Sequence, residues 1–236
     1  GLCDGMDVVF SSVGITRQKD GLTYKDVDYQ ANSNLLTMAE ASGVSKFMYV
    51  HILNAEKLRH IAMIQSKQAF VDELRRSTLD NMVICPTAFF SDMEELLSMA
   101  RSGRVYLFGD GSSRINPIHG ADLAEFCVDA IDSQQQQFDV GGPEVFTYRD
   151  IAKLAFDVLD QPEKIMCVPK SLVSATVGAL RWLTPAKVYG PLEFMASVMT
   201  MDVIGEAYGQ RRLADHFRDC GGSIGSKPRE DHPLPV

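Results

Sequence analysis

Apolar positions recur along this chain in two rhythms, short unbroken runs and helical stripes, and their order predicts an α/β sheet. Asp7-Val8-Val9-Phe10 is a short apolar run closed by Ser11-Ser12-Val13-Gly14, the pattern of a fully buried parallel strand ending in a small-residue loop. Over residues 27–41, Leu35, Leu36, Met38, Ala39 and Ala41 keep helical spacing, and Gly43 stands where a C-terminal glycine cap belongs. Residues 46–50 predict a second strand. Residues 54–76 predict a long amphipathic helix with Leu58, Ile61, Ile64, Phe70, Val71 and Leu74 inward. A third strand over 82–85 is stopped by Pro86. Strand, helix, strand, helix, strand with short connections predicts a parallel sheet. Ligands of such sheets sit beyond the carboxyl ends of the strands, here residues 11–14, 51–54 and 86–90.

Further along, the pattern predicts a helix over 92–102, a strand over 104–108, a turn at Gly109-Asp110-Gly111 and a return strand over 113–118. A helix over 122–131, a solvated turn at 134–137 and a strand ending at Gly141-Gly142-Pro143 follow. Thr147, three residues before Asp150 and ahead of an apolar stripe, has the form of a helix N-cap. That helix runs to about residue 159, and 165–168 predicts a last short strand. Between 171 and 205 the chain is apolar but interrupted by Gly178, Pro185, Gly190 and Pro191, which predicts two or three short helices packed as a lid. Leu180, Trp182, Leu183, Phe194 and Met195 would also suit a membrane surface. Only Arg181 and Lys187 stand among them, so the packed lid is preferred and membrane contact is not expected. Three parts result: 1–170 as the main domain, 171–219 as a helical lid or minor domain, and 220–236 as a loose tail rich in Gly, Ser and Pro.

Composition narrows the function. The 236 residues are 45% apolar, enough for a substantial core. A net charge of −8 and a pI near 5.1 leave no basic field for phosphate backbones, which excludes nucleic acid as a partner. Five cysteines, odd in number and without a C-x-x-C pair, predict reduced thiols and an intracellular setting, cytoplasmic or inside an organelle. No signal-like segment and no apolar run of spanning length is visible.

Several of these segments together resemble the atypical or extended short-chain dehydrogenase/reductases, in the NmrA-like and divinyl-chlorophyllide-reductase-like branch. The resemblance is carried by residues 7–14, by Asn32 with Asn34-Leu35-Leu36, by residues 44–50, by Pro86-Thr87-Ala88-Phe89-Phe90, by Ile115-Asn116-Pro117-Ile118-His119-Gly120-Ala121-Asp122, and by Gly141-Gly142-Pro143 with the helix after it. It implies a Rossmann-type doubly wound parallel sheet with a small, mostly helical C-terminal substrate region, an NADP cofactor (NAD as the alternative), and hydride transfer to an apolar small-molecule substrate. It also implies cofactor contacts at Ser11, Ser12, Val13 and Gly14 on the adenosine side, at His51, at Lys67 on the ribose, and at Pro86, Thr87 and Phe89 on the carboxamide.

Two departures bear on that expectation. No glycine-rich phosphate loop precedes a strand, and the chain begins Gly1-Leu2-Cys3 almost at the strand pattern, so the N-terminal mononucleotide half is expected to be missing. Lys67 holds the catalytic lysine position of a Tyr-x-x-x-Lys pair, but Met63 stands where the tyrosine belongs, and methionine has no proton to give. A non-catalytic redox sensor or structural subunit is therefore the alternative, with a sugar-nucleotide epimerase relative a third. Of the histidines, His51 at a strand end is the candidate acid, His60 less so, and His119 is expected to order its turn. Glu94-Glu95 reads as a solvated face, and no set of residues has metal-ligand spacing.

Overall fold

Side-chain alternation along the middle strands builds the two faces of a parallel sheet. The computed structural model describes the chain except residues 17, 19, 20 and 222–236 and the side chains of residues 186 and 187. The first unit is β1 (Val8–Ser11), α1 (Asn32–Ala41), β2 (Lys46–Val50), α2 (Ala62–Leu74) and β3 (Asp80–Pro86). There follow α3 (Phe90–Arg101), β4 (Val105–Phe108), β5 (Arg114–Ile115), α4 (Gly120–Asp129), β6 (Gln137–Gly141), β7 (Phe146–Thr147) and α5 (Tyr148–Val158). The chain continues through β8 (Ile165–Val168), α6 (Lys170–Leu183), α7 (Ala186–Val198), β9 (Glu206–Ala207) and α8 (Leu213–Gly221).

The central sheet has the order β1-β2-β3-β6-β9, every neighbouring pair parallel. All five residues of β2 are buried, which requires cover on both faces. Phe47 and Tyr49 point into one core with Leu36 and Ala39 of α1 and Phe70, Val71 and Leu74 of α2. Met48 points into the other with Met82, Ile84 and Val140 and with Leu123 and Cys127 of α4. Each such fully buried large side chain contributes about 1.5–3 kcal/mol. The second face thins toward β1, where Phe10, in register with Met48, is 47% exposed. β1 is also the edge of the sheet.

Local signals behaved as the pattern predicts. Gly43 takes φ +72° after α1, and Thr147 and Asp150 form a capping box at the start of α5. Three expectations need correction. Residues 104–108 and 113–118 do not pair as a hairpin: β4 runs parallel to β8, and β5 pairs antiparallel with β7. The helix expected over 54–76 is broken, a short 3₁₀ turn over Ala55–Leu58 standing before α2. In the segment expected to form a lid, Phe194 and Met195 pack on the body, but Trp182 is 92% and Leu183 80% exposed. The expected loose tail lies outside the described residues apart from 220 and 221, which end α8.

Asn116 fastens the sheet's far side. Its buried side-chain amide donates to Gly142 O (3.0 Å) and Gly205 O (3.1 Å) and accepts from Gly205 N (3.0 Å). Its carbonyl accepts from Gly142 N and from Thr87 Oγ1. At Gly142 a Cβ would lie 2.0 Å from Pro117 O, whereas at Gly120 it meets nothing within 4 Å. Gly142→Ala should accordingly lower the denaturant midpoint by the equivalent of about 1–3 kcal/mol, while Gly120→Ala, in a helix, should leave it unchanged or raise it by up to about 1 kcal/mol. Equal midpoints for the two variants would contradict this packing.

Candidate functional site

The segment leaving β1 is shaped by a buried serine and a buried asparagine. Ser11 is 2% exposed; its Oγ donates to Asn32 Oδ1 (2.6 Å) and accepts from Val13 N (3.3 Å). Asn32, the first residue of α1, directs Nδ2 at the carbonyls of Val13 (3.2 Å), Val27 (3.3 Å) and Asp28 (3.1 Å). Ser11 therefore serves the loop rather than the surface, and Ser12, Val13 and Gly14 are the exposed members. Immediately before α1, Lys25–Ala31 is wound as a π-helix, a form that recurs at functional sites. It turns Asp28 fully inward, with 0% exposure.

Lys67, on α2, reaches that carboxylate. Its Nζ lies 3.1 Å from Asp28 Oδ1, 3.5 Å from Tyr49 Oη and 5.6 Å from the centre of the Tyr49 ring. Asp28 Oδ2 accepts from Ile15 N at 3.4 Å. Burial raises the Asp28 carboxyl above its ordinary range, and the opposing pull of the Lys67 ammonium is the smaller effect. The Tyr49 phenol is likewise pushed up, by burial and then by Asp28. Gly14 lies over this pair: a Cβ there would stand 2.4 Å from Lys67 Nζ and 2.6 Å from Asp28 Oδ1. Glycine is what lets the backbone come so close. Of the three ammonium donors, Asp28 and Tyr49 take two.

Next along the sheet edge stands His51, 8% exposed. Its N–H donates to Ile84 O (2.8 Å), and its Nε2 is 3.2 Å from Gln68 Oε1. Its Nδ1 is buried with no hydrogen-bond partner among the described residues. Burial first, and the Lys67 charge second, bring its pKa down to about 4, so the ring is neutral at pH 7. After Pro86, the last residue of β3, Thr87 donates its N–H to Val140 O and its Oγ1 to Asn116 O. The Phe89 N–H is bonded to Asp92 Oδ2 (2.8 Å). Ala88 N–H makes no hydrogen bond among the described residues. It is the amide of that loop that remains to donate.

Met63 does not line this mouth. It is 4% exposed and packs with Tyr24, Leu58, Ile61 and Ile64. Tyr24, whose hydroxyl donates to Thr16 O (3.1 Å), shares that cluster. Of the other histidines, His60 is exposed and His119 caps α4 by accepting from Ala121 N (3.1 Å). The sequence reading passed over Asp28 and Tyr24. The available signal was the spacing of Asp28 and Asn32, two polar residues one turn apart on a stripe that otherwise faces the core.

An approach shaped by Gly14, one unspent ammonium donor and one unspent amide thus stand at the carboxyl ends of β1, β2 and β3, beside the buried His51 imidazole. These groups fit the hydroxyl-rich ribose and the carboxamide of a nicotinamide nucleotide. Among the described residues no glycine-rich loop between a strand and a helix N-terminus offers a cradle for its pyrophosphate.

Comparison with known proteins agrees with the fold. Residues 1–134 match the NAD(P)H-binding family. The chloroplastic divinyl chlorophyllide a 8-vinyl-reductase of Zea mays is 29% identical over 178 residues, 71% of this chain and 44% of the reductase. The mitochondrial NADH dehydrogenase [ubiquinone] 1 alpha subcomplex subunit 9 of Arabidopsis thaliana is 20% identical over 179 residues, 72% of this chain and 44% of that subunit. The chain thus spans about half the length of the curated relatives it matches. Among solved structures, the Escherichia coli NADPH-dependent quinone oxidoreductase complexed with NADPH superposes with a TM-score of 0.68 at 12% identity, covering 92% of this chain and 77% of that one. The Citrobacter triphenylmethane reductase complexed with NADP(H) gives 0.65 at 15%, covering 92% and 78%. Among the described residues no helix is long and apolar enough to cross a membrane.

The depressed His51 pKa has a sign that can be measured. The folded state disfavours the imidazolium, so the stability His51 contributes is fully present above about pH 6.5 and is lost as the pH falls toward about 4. Acidification across that window should cost the wild type about 3 kcal/mol more than His51→Phe, read from denaturant melts at each pH. Parallel pH profiles for the two proteins would show that His51 is not held neutral.

Proposed function

Because this chain belongs to the NAD(P)H-binding family, we propose that its sheet edge holds the nicotinamide–ribose end of NADP(H), or failing that NAD(H), within an oxidoreductase of the atypical short-chain reductase type. The observation that carries the proposal is Gly14 lying against the Lys67–Asp28 pair at the carboxyl ends of the strands. When bound, the cofactor supplies hydride-transfer chemistry. Lys67 directs its remaining donor at the ribose hydroxyls, with Asp28 fixing the direction of its side chain. Ser12, Val13 and Gly14 line the approach, the neutral His51 borders it, and Ala88 N–H meets the carboxamide. Pro86, Thr87 and Phe89 shape that loop, the latter two with their own donors spent. An apolar small molecule would lie between this loop and α6 and α7. NADP(H) is preferred because the quinone oxidoreductase and the triphenylmethane reductase were both solved with it. The pyrophosphate half would add at the β1 edge, where Phe10 is uncovered.

A second reading is favoured by Met63: with a buried thioether in the tyrosine position, the site binds the dinucleotide without turnover, as a redox sensor or as a subunit of a larger assembly. The names of several relatives, a complex I subunit and photosystem II assembly factors, suit it. An epimerase-like role draws only on the fold shared with solved epimerases.

Titration of NADPH and NADH followed by nucleotide fluorescence tests the common core of both readings. The wild-type chain should bind NADPH weakly for want of a pyrophosphate cradle, and the Asp28→Asn/Lys67→Ala double variant, which leaves no lone buried carboxylate, should bind about 10–100-fold more weakly still, the loss of one hydrogen bond from a charged donor. Unchanged affinity in the double variant, or no binding of either nucleotide by the wild type, would overturn the proposal. Consumption of NADPH with a quinone acceptor would then select the enzyme over the sensor.

A further inference from the structure

Away from the sheet edge, three side chains from distant parts of the chain converge on one point. Glu94 lies one turn into α3; His216 and Cys220 lie four residues apart on α8, which places them on one helix face. His216 Nε2 is 2.9 Å from Glu94 Oε1, and Cys220 Sγ is 3.7 Å from Glu94 Oε1 and 3.8 Å from His216 Nε2. The platform is rigid. Leu213 and Phe217, on the adjoining face of α8, are fully buried, and the His216 ring packs against Phe90 with 5.6 Å between ring centres.

The arrangement is not that of a thiol nucleophile with its base. In a nucleophile–base–carboxylate relay the acid holds the ring nitrogen opposite the one that faces the thiol, whereas here Glu94 and Cys220 both face Nε2. Three donors aimed at a common centre are what a metal ion requires. Tetrahedral zinc with its usual bond lengths of about 2.0–2.3 Å separates its ligand atoms by about 3.3–3.6 Å. Both sulfur distances lie within a few tenths of an ångström of that range, and the Glu94–His216 contact must open by less than half an ångström.

We propose that Glu94, His216 and Cys220 form a site for a divalent transition-metal ion, zinc in the first instance, which pins α8 to α3. A thiolate, an imidazole and one carboxylate select a borderline ion over magnesium or calcium, which prefer oxygen ligands alone. Three protein ligands is also the number found in zinc sites that leave a fourth position to water or a substrate. The site forms only in three dimensions, since Glu94 is more than a hundred residues from its partners along the chain.

The test titrates zinc into the whole chain against a chromogenic chelator and repeats the titration with cobalt. One zinc ion should bind per chain, and cobalt should give a thiolate-to-metal charge-transfer band. Cys220→Ser should abolish the band, and His216→Ala should weaken zinc binding by more than the roughly 10–100-fold that loss of an outer-shell partner costs. A readout without any variant is iodoacetamide labelling: zinc should slow alkylation of Cys220 but not of the exposed Cys167. No charge-transfer band, zinc affinity indifferent to both substitutions, or unprotected Cys220 would overturn the proposal.

Discussion

One buried ion pair sets the geometry of the sheet's working edge. The Asp28 carboxylate has no contact with water, and its charge is met by a single ammonium at 3.1 Å. Their attraction, about 5 kcal/mol at an effective dielectric near 20, is of the same order as the several kcal/mol that each ion loses on leaving water. The pair therefore adds little net stability. It does fix where things lie: the π-helical turn of Lys25–Ala31 must face α2, the loop after β1 must pass over the pair, and only a residue without a side chain can stand at Gly14.

That constraint accounts for the rest of the edge. With Lys67 drawn toward Asp28, its charge reaches the neighbouring His51 and helps keep that ring neutral. With the loop anchored by Ser11 and Asn32, backbone and small side chains form the approach, while Asn116 holds the loop after β3 from the other side. A reductase needs such a fixed cradle, and so does a protein that only senses which nucleotide is bound. The buried Met63 is where the two part, since it removes a proton donor without disturbing the cradle.

The sequence disclosed whatever is governed by near neighbours. Buried strand runs, the Gly43 cap and the Thr147–Asp150 box depend on residues within a turn or two, and so were legible. Pairing of β4 with β8, the short strand β9 and helix α8 depend on contacts between distant segments, which periodicity does not report. Asp28 was hidden for a related reason: a carboxylate in a polar-looking loop–helix junction gives no sign that it faces inward until its lysine is placed opposite. Trp182 and Leu183 erred the other way, apolar in composition yet outside the core. The candidate cofactor positions do lie at strand ends, but which atoms at those ends still have a free donor or acceptor emerged only from the hydrogen bonds.

The claim on which the account rests is that these strand ends form the nicotinamide side of a dinucleotide site. It is tested most directly by recording backbone amide NMR shifts of the chain during a titration with NADPH. The account predicts that the amides of Ser12, Gly14, Ile15, His51 and Ala88 move together and saturate at one nucleotide concentration. Shifts confined to other surfaces, with these five unmoved, would contradict it.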